Sequence, residues 1–369
     1  MTKLRARTFT ALVFTIITLC SSTAAWAQHN ANEQPIQPVS IQEHHETEEI
    51  NTTEVILDHI QDNYVWEYWG HSSFGLPVIL YTSKGLEVFS GAKLFDEHHK
   101  PVAYQGNHTY KVNPDTKKIE LIGADGKVDA KATFYDVSIT KNVATLLLTT
   151  TLILFIFLYM AKRYTKQGIT SAPKGIQSVL EPFIIFIRDD VAKPNIGPKY
   201  AKFMPLLLSL FFFIWLNNML GLVPFFPGGA NLSGNIAFTL VLAVVVFFVV
   251  NLNGNANYWG HIFAMPGVPK WLLVLLTPIE IVGIFIKPVS LMIRLFANIT
   301  AGHVLVLALI CLIFVLKSIA VAAVAVPFAV FIYFIELLVA FLQAFIFTIL
   351  TSLYIGMAVE EHHHEAKAH

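Results

Sequence analysis

Charge is scarce in this chain. Lys, Arg, Asp and Glu make up 14% of its 369 residues, and 25 basic side chains balance 25 acidic ones. With a formal net charge of zero, no strongly basic surface is implied, which argues against nucleic acid as a partner. Cysteine is scarcer still. Cys20 and Cys311 are the only two, both in apolar stretches, so a disulfide framework is excluded. What fills the chain instead is hydrocarbon. It is 55% hydrophobic, with a mean hydropathy of +0.58, the composition of an integral membrane protein in contact with a lipid bilayer. No cofactor is expected.

The N-terminal third is built differently. Lys3, Arg5 and Arg7 form a basic region, Phe9 to Leu19 an apolar core, and Ala25-Trp26-Ala27 an A-x-A cleavage site. Residues 1–27 therefore read as a secretory signal peptide, its apolar core short for a span of ~20 residues. A polar linker, 28–60, follows. Its His44-His45-Glu46-Thr47-Glu48-Glu49 run reads as a solvated charge cluster rather than a metal site. Residues 61–137 carry short alternating runs, Leu76–Tyr81 and Leu86–Phe89, broken by turn signals at Asn113-Pro-Asp-Thr and Gly123-Ala-Asp-Gly126. A small β-rich domain outside the membrane, periplasmic in a bacterium, is expected there. It contains no catalytic constellation.

The remainder is expected to be an all-α polytopic membrane domain over 140–361, with a short cytoplasmic tail, 362–369. Five candidate spans are Val143–Met160, Phe203–Val223, Ile236–Leu252, Trp271–Leu316 and Ser318–Val359. The last two are too long to stand upright. At ~1.5 Å per residue, 46 residues reach about 69 Å against a hydrocarbon core of about 30 Å. A pair of long tilted helices joined at Lys317-Ser318 fits. Residues 161–202 hold eight basic side chains against three acids, whereas Phe225–Ser233 holds none. The positive-inside rule makes the first of these loops cytoplasmic. That ordering agrees with a cleaved signal leaving residue 28 outside, and it puts the C-terminus in the cytoplasm.

The polar residues inside the spans then fall into two sets. Arg294 sits at the centre of Trp271–Leu316, where a charge costs roughly 2.5 kcal/mol or more and is usually functional. Glu280, Lys287 and Ser290 precede it on the cytoplasmic side, and Asn298 and His303 follow on the exterior side. On the final helix Glu336 lies toward the exterior and Gln343 just past the middle. Glu280, Lys287 and Arg294 recur every seven residues with Asn298 four beyond, so they share a helical face. His303 falls roughly opposite Arg294 on a straight helix, so meeting Glu336 is expected to need a bend or a wrapped final helix. A histidine and a carboxylate at one depth suit a proton relay, whereas Lys287 reads as a headgroup-seeking side chain.

Three segments carry a family resemblance. Lys287-Pro-Val-Ser-Leu-Met-Ile-Arg-Leu-Phe-Ala-Asn-Ile-Thr-Ala-Gly302, Leu342-Gln-Ala-Phe-Ile-Phe347 and Asn218-Met-Leu-Gly-Leu-Val-Pro224 together resemble the signature of subunit a of the F-type ATP synthase, over about 140–361. The resemblance implies a non-catalytic, proton-translocating subunit. Its partners would be a rotating c-ring, peripheral-stalk subunit b and the remaining synthase subunits. It implies that Arg294 faces the ring carboxylates with Asn298 and Gln343 beside it. Glu280 and Ser290 would line a cytoplasmic half-channel, and Asn218 would lie near an exterior one. The family often has an acid at the position of His303 and a histidine at that of Glu336, so the pair is exchanged here. A secondary ion transporter is the competing reading, but no inverted repeat is visible and five spans divide badly into two.

Overall fold

The computed structural model describes residues 61–360, apart from 70–71, 97–99, 115, 124–126, 130–132, 169–171, 224–226, 264 and 266–267. The expected signal peptide, the polar linker and the tail from 361 onward lie outside the described residues, as does Cys20.

The first part is a compact β unit. Strands β1 (Val65–Trp69) and β2 (Ser72–Gly75) form a hairpin; β3 (Pro77–Thr82) pairs antiparallel with β4 (Gly85–Ser90) and with β8 (Tyr135–Asp136). A second sheet is β5 (Tyr104–Gln105), β6 (Thr109–Val112) and β7 (Ile119–Ile122). The period of two decides which side chains turn in. Val78, Leu80 and Thr82 of β3 are buried while Pro77 and Tyr81 face out. Tyr64, Phe89, Leu94, Tyr110, Val112, Ile119 and Leu121 complete this core.

Where the β unit joins the first helix, the orphan N–H groups of a helix start are provided for. Thr140 is the N-cap of α1 (Lys141–Gln167), its hydroxyl accepting from the Val143 N–H. Asp62 reaches in from the β unit and accepts from the Asn142 N–H at 3.0 Å.

The helices that follow carry long apolar runs. After α1 come α2 (Ile176–Phe186) and a π-helical turn, Ile187–Ala192, leading by short turns into α3 (Tyr200–Leu222). Residues 176–196, expected as part of a basic loop, are thus largely helical. Next are α4 (Ile236–Leu252) and α5 (Ala256–Phe263), separated by a bend of 101°. Helix α6 (Lys270–Leu316, 47 residues) and helix α7 (Ile319–Val359, 41 residues) close the chain. Lys317, at φ 42, adopts the left-handed conformation that ends α6 and starts the hairpin. By length and composition four described helices can cross a membrane, or five if the bent α4–α5 pair is one span.

Helix α3 is the centre of this bundle. Phe211, Phe212 and Trp215 stack with one another and with Phe183 of α2 and Phe341 of α7. Helix α6 is the opposite case. Among its described residues only Leu291, Leu295, Ile299 and Cys311 are buried, and Phe285, Ile286, Val289 and Ile293 are exposed. So large an uncovered apolar face marks a surface for lipid or a partner subunit.

Candidate functional site

The buried stripe of α6 organises the site. Leu291, Leu295 and Ile299, four residues apart, press against the rest of the bundle. At ~100° per residue, Arg294 flanks this stripe on one side and His303 on the other. Arg294 is half-buried, and Ala297, Asn298 and Ala301 beside it are exposed. Among the described residues Arg294 makes no hydrogen bond and no ion pair. Glu336 instead contacts His303, and Arg294 lies within electrostatic range of Tyr354 on α7.

His303 turns the other way and meets Glu336. Its Nδ1 lies 3.6 Å from Glu336 Oε1, with side-chain exposures of 17% and 4%. The contact follows from α7, whose buried face carries Glu336 together with Ile332, Ala340 and Gln343. Because Glu336 lies inside the bundle, the flank of α6 opposite Arg294 is the one that reaches it. At 3.6 Å the contact is too long for a hydrogen bond, and it becomes an ion pair only when the imidazole is protonated. Glu336 Oε1 has no hydrogen-bond partner among the described residues.

Two glycines make room for the pair. A Cβ on Gly302 would lie 2.8 Å from Glu336 Oε1 and 3.0 Å from its Cδ. A Cβ on Gly221, near the end of α3, would lie 3.9 Å from His303 Nε2 and 3.2 Å from the Ala230 carbonyl. The pocket is therefore walled by α3 and by the loop after it. On that wall Asn218 is buried; its side-chain carbonyl accepts from the Ser233 hydroxyl at 2.5 Å, and its amide donates to the Ala340 carbonyl at 3.2 Å. One turn from Glu336, the Tyr333 hydroxyl donates to the Leu222 carbonyl. Deeper in, Thr149 of α1 donates to Asn217 at 3.0 Å.

The remaining expected residues lie apart from this cluster. Glu280 and Ser290 are half-buried on α6 beyond Arg294; Glu280 is within electrostatic range of Tyr258 on α5. Gln343 is buried on α7 between Glu336 and Tyr354. Lys287 Nζ lies 5.8 Å from the centre of the Tyr354 ring, and both residues line a small cavity with Asn251 and Tyr258. Lys287 opposite Tyr354 and His303 opposite Glu336 fix α6 and α7 as antiparallel neighbours. Along α6 the axial rise from Arg294 to His303 is about 14 Å, and to Glu280 about 21 Å. One polar cluster thus lies on each side of the arginine.

Chemically, a buried imidazole–carboxylate contact in an apolar bundle can accept and pass a proton. Gly302, Gly221, Tyr333 and Ser233 also border it, and no sequence-based expectation names them as site residues. The Gly302 side of the helix pair had one available signal, since small residues mark close approach in membrane bundles.

Comparison with known proteins places this geometry. The profile of the ATP synthase A chain family matches residues 143–356, and that of a domain of unknown function matches 55–140. The chain is 46% identical over 243 residues to ATP synthase subunit a of Chlorobium phaeobacteroides, covering 63% of this chain and 70% of that one. It is 45% identical over 240 residues to ATP synthase subunit a 2 of Prosthecochloris aestuarii, covering 63% and 72%. With that of Myxococcus xanthus it shares 40% over 241 residues, 63% and 77%. A family match spanning more than half the chain, around an intramembrane arginine with a polar cluster on either side, leads to one conclusion: the chain belongs to the ATP synthase subunit a family.

Proposed function

We propose that this proton-channel subunit works through two offset half-channels separated at Arg294. The chain itself does no ATP chemistry. The observation that carries the proposal is the placement of the buried His303–Glu336 contact on one flank of α6 and of Arg294 on the other, open flank. Protons enter from the exterior through Asn218, His303 and Glu336, and neutralise a carboxylate on the c-ring. A neutral site can then rotate through lipid, where an ionised one would be too costly. After most of a turn the proton leaves through Ser290 and Glu280 to the cytoplasm. Arg294 stabilises the ionised ring carboxylate, with Asn298 and Gln343 beside it, and its fixed charge opposes direct leakage. The driving force is about 2.3 kcal/mol per proton per 100 mV.

In this reading the exposed face of α6 around Ala297, Asn298 and Ala301 lies against the c-ring, and peripheral-stalk subunit b is a further neighbour. The protein sits in a bacterial inner membrane with five spans, α6 and α7 tilted. Its β unit is periplasmic and its C-terminus cytoplasmic, as the basic residues between α1 and α3 favour. Arg294→Ala in the reconstituted complex tests the mechanism. ATP-driven proton pumping should be abolished while the complex still assembles; normal pumping by that variant overturns the proposal.

A further inference from the structure

The β unit is not a passive appendage. Its Trp66, 5% exposed, donates its indole N–H to the Gly228 carbonyl at 3.0 Å, across 162 residues of sequence. Gly228 lies in the loop between α3 and α4, and that loop is folded tightly onto the end of α3. The Gly229 N–H donates to the Leu220 carbonyl at 3.2 Å. A Cβ on Gly228 would lie 2.4 Å from the Val223 carbonyl oxygen and 2.6 Å from that of Leu220. The same loop supplies Ser233, which holds Asn218, and Ala230 and Asn231, which close over Gly221 beside His303. One face of the loop therefore walls the His303 pocket, and its outer end is pinned by the β unit.

The β unit is itself anchored to the helices a second time. Asp62 accepts from the Asn142 N–H at 3.0 Å, and the Lys141 N–H donates to the Asn63 carbonyl at 2.9 Å. With both ends fixed, Trp66 holds the loop against a rigid support rather than against a tethered flap.

We infer that the β unit is a positioning element for proton uptake, with Trp66 clamping the loop 227–234 that walls the exterior-side pocket of His303 and Glu336. The inference rests on the exterior half-channel assigned above. Trp66 acts through Gly228, Ser233 and Asn218. Among the described residues the titratable groups facing that pocket are His303 on α6 and Glu336 and Tyr333 on α7, while α3 and the loop present amides, a hydroxyl and carbonyls.

The test uses the whole synthase in inverted vesicles, with ATP synthesis driven by an acid–base transition. Luminal pH, which is the exterior side, is varied at constant total driving force. Trp66→Phe keeps an aromatic ring and removes the indole N–H. Gly228→Ala leaves the β unit untouched and lifts the loop from within. Trp66→Phe should lower the rate about fivefold, the effect of one hydrogen bond, and Gly228→Ala, through overpacking against Val223 and Leu220, should lower it at least as much. Both should also move the luminal pH giving half-maximal rate, while the dependence on cytoplasmic-side pH stays as in the parent. Equal amounts of chain in the purified complex establish that folding is intact. If Gly228→Ala shifts the luminal profile and Trp66→Phe does not, the loop matters but the β unit does not position it, and the inference fails. Glu336→Gln is run alongside. Should it leave the luminal profile unchanged, the exterior half-channel itself is misassigned; should it abolish uptake while Trp66→Phe is silent, only the clamp is refuted.

Discussion

Replacing Gly302 by alanine is the sharpest test of the His303–Glu336 geometry. The added methyl would lie 2.8, 3.0 and 3.2 Å from Glu336 Oε1, Cδ and Cγ. The carboxylate end alone could swing aside, but contact with Cδ and Cγ means the whole buried side chain must move, or α6 must part from α7. Overpacking of this kind costs ~1–3 kcal/mol. Against it, alanine gains about 0.5–1 kcal/mol of helix propensity over glycine. The steric term wins, and its effect falls on the 3.6 Å contact to His303. A displacement near 1 Å can lower a rate by about 100-fold, so we expect a loss of about tenfold or more. The assay is ATP-driven acidification of inverted vesicles, followed with a pH-sensitive dye and normalised to assembled complex. If Gly302→Ala pumps like the parent, close packing around Glu336 does not govern transport, and the pair's geometry has been over-read.

Other expectations follow from the same geometry. Exchanging the pair, His303→Glu with Glu336→His, should retain more proton pumping than either single change; a double variant no better than the singles ends the relay pairing. Asn218→Ala removes the acceptor of the Ser233 hydroxyl and should lower pumping without lowering the amount of assembled complex, as read by immunoblot and dye quenching. At the junction of the β unit and α1, burial holds the Asp62 carboxyl above its ordinary range. A raised folded-state value means the contribution to stability is fully present below the unfolded value and is lost as pH rises through the folded one. Asp62→Asn keeps an acceptor for the Asn142 N–H and abolishes that loss. Resistance to proteolysis at the junction should therefore rise at neutral pH and be unchanged in acid; a gain confined to acid reverses the sign and refutes the assignment.

Much of the membrane domain is legible in the sequence because apolar runs and their breaks are strong signals. Ile236–Leu252 coincides with α4, and the joint at Lys317-Ser318 is where the chain turns. The helix within 176–196 was hidden by its charges and by Pro182, which read as a loop. The Trp66–Gly228 hydrogen bond joins residues too far apart for any local pattern to announce. The orientation of Glu336 is less legible. On α6 the spacing sets Arg294 and His303 on opposite flanks, so that meeting Glu336 is expected to need a bend or a wrapped final helix, and the contact is made on the His303 flank. A soluble helix would have shown its orientation through its polar face. Helix α7 is apolar all round, because lipid and protein interior reward the same side chains, so hydrophobic periodicity is silent about which face is buried. Size is not silent. Ala325, Ala329, Ala340 and Ala344 lie on the buried face that also carries Glu336 and Gln343, and small residues are what let helices approach when hydrophobicity no longer drives them together. In a helix of this kind the alanines, not the leucines, show where a carboxylate points. They place Glu336 inside the bundle, with the packed stripe Leu291, Leu295 and Ile299 between its contact to His303 and the flank that carries Arg294. An apolar stripe thus separates the His303–Glu336 contact from Arg294 around the helix.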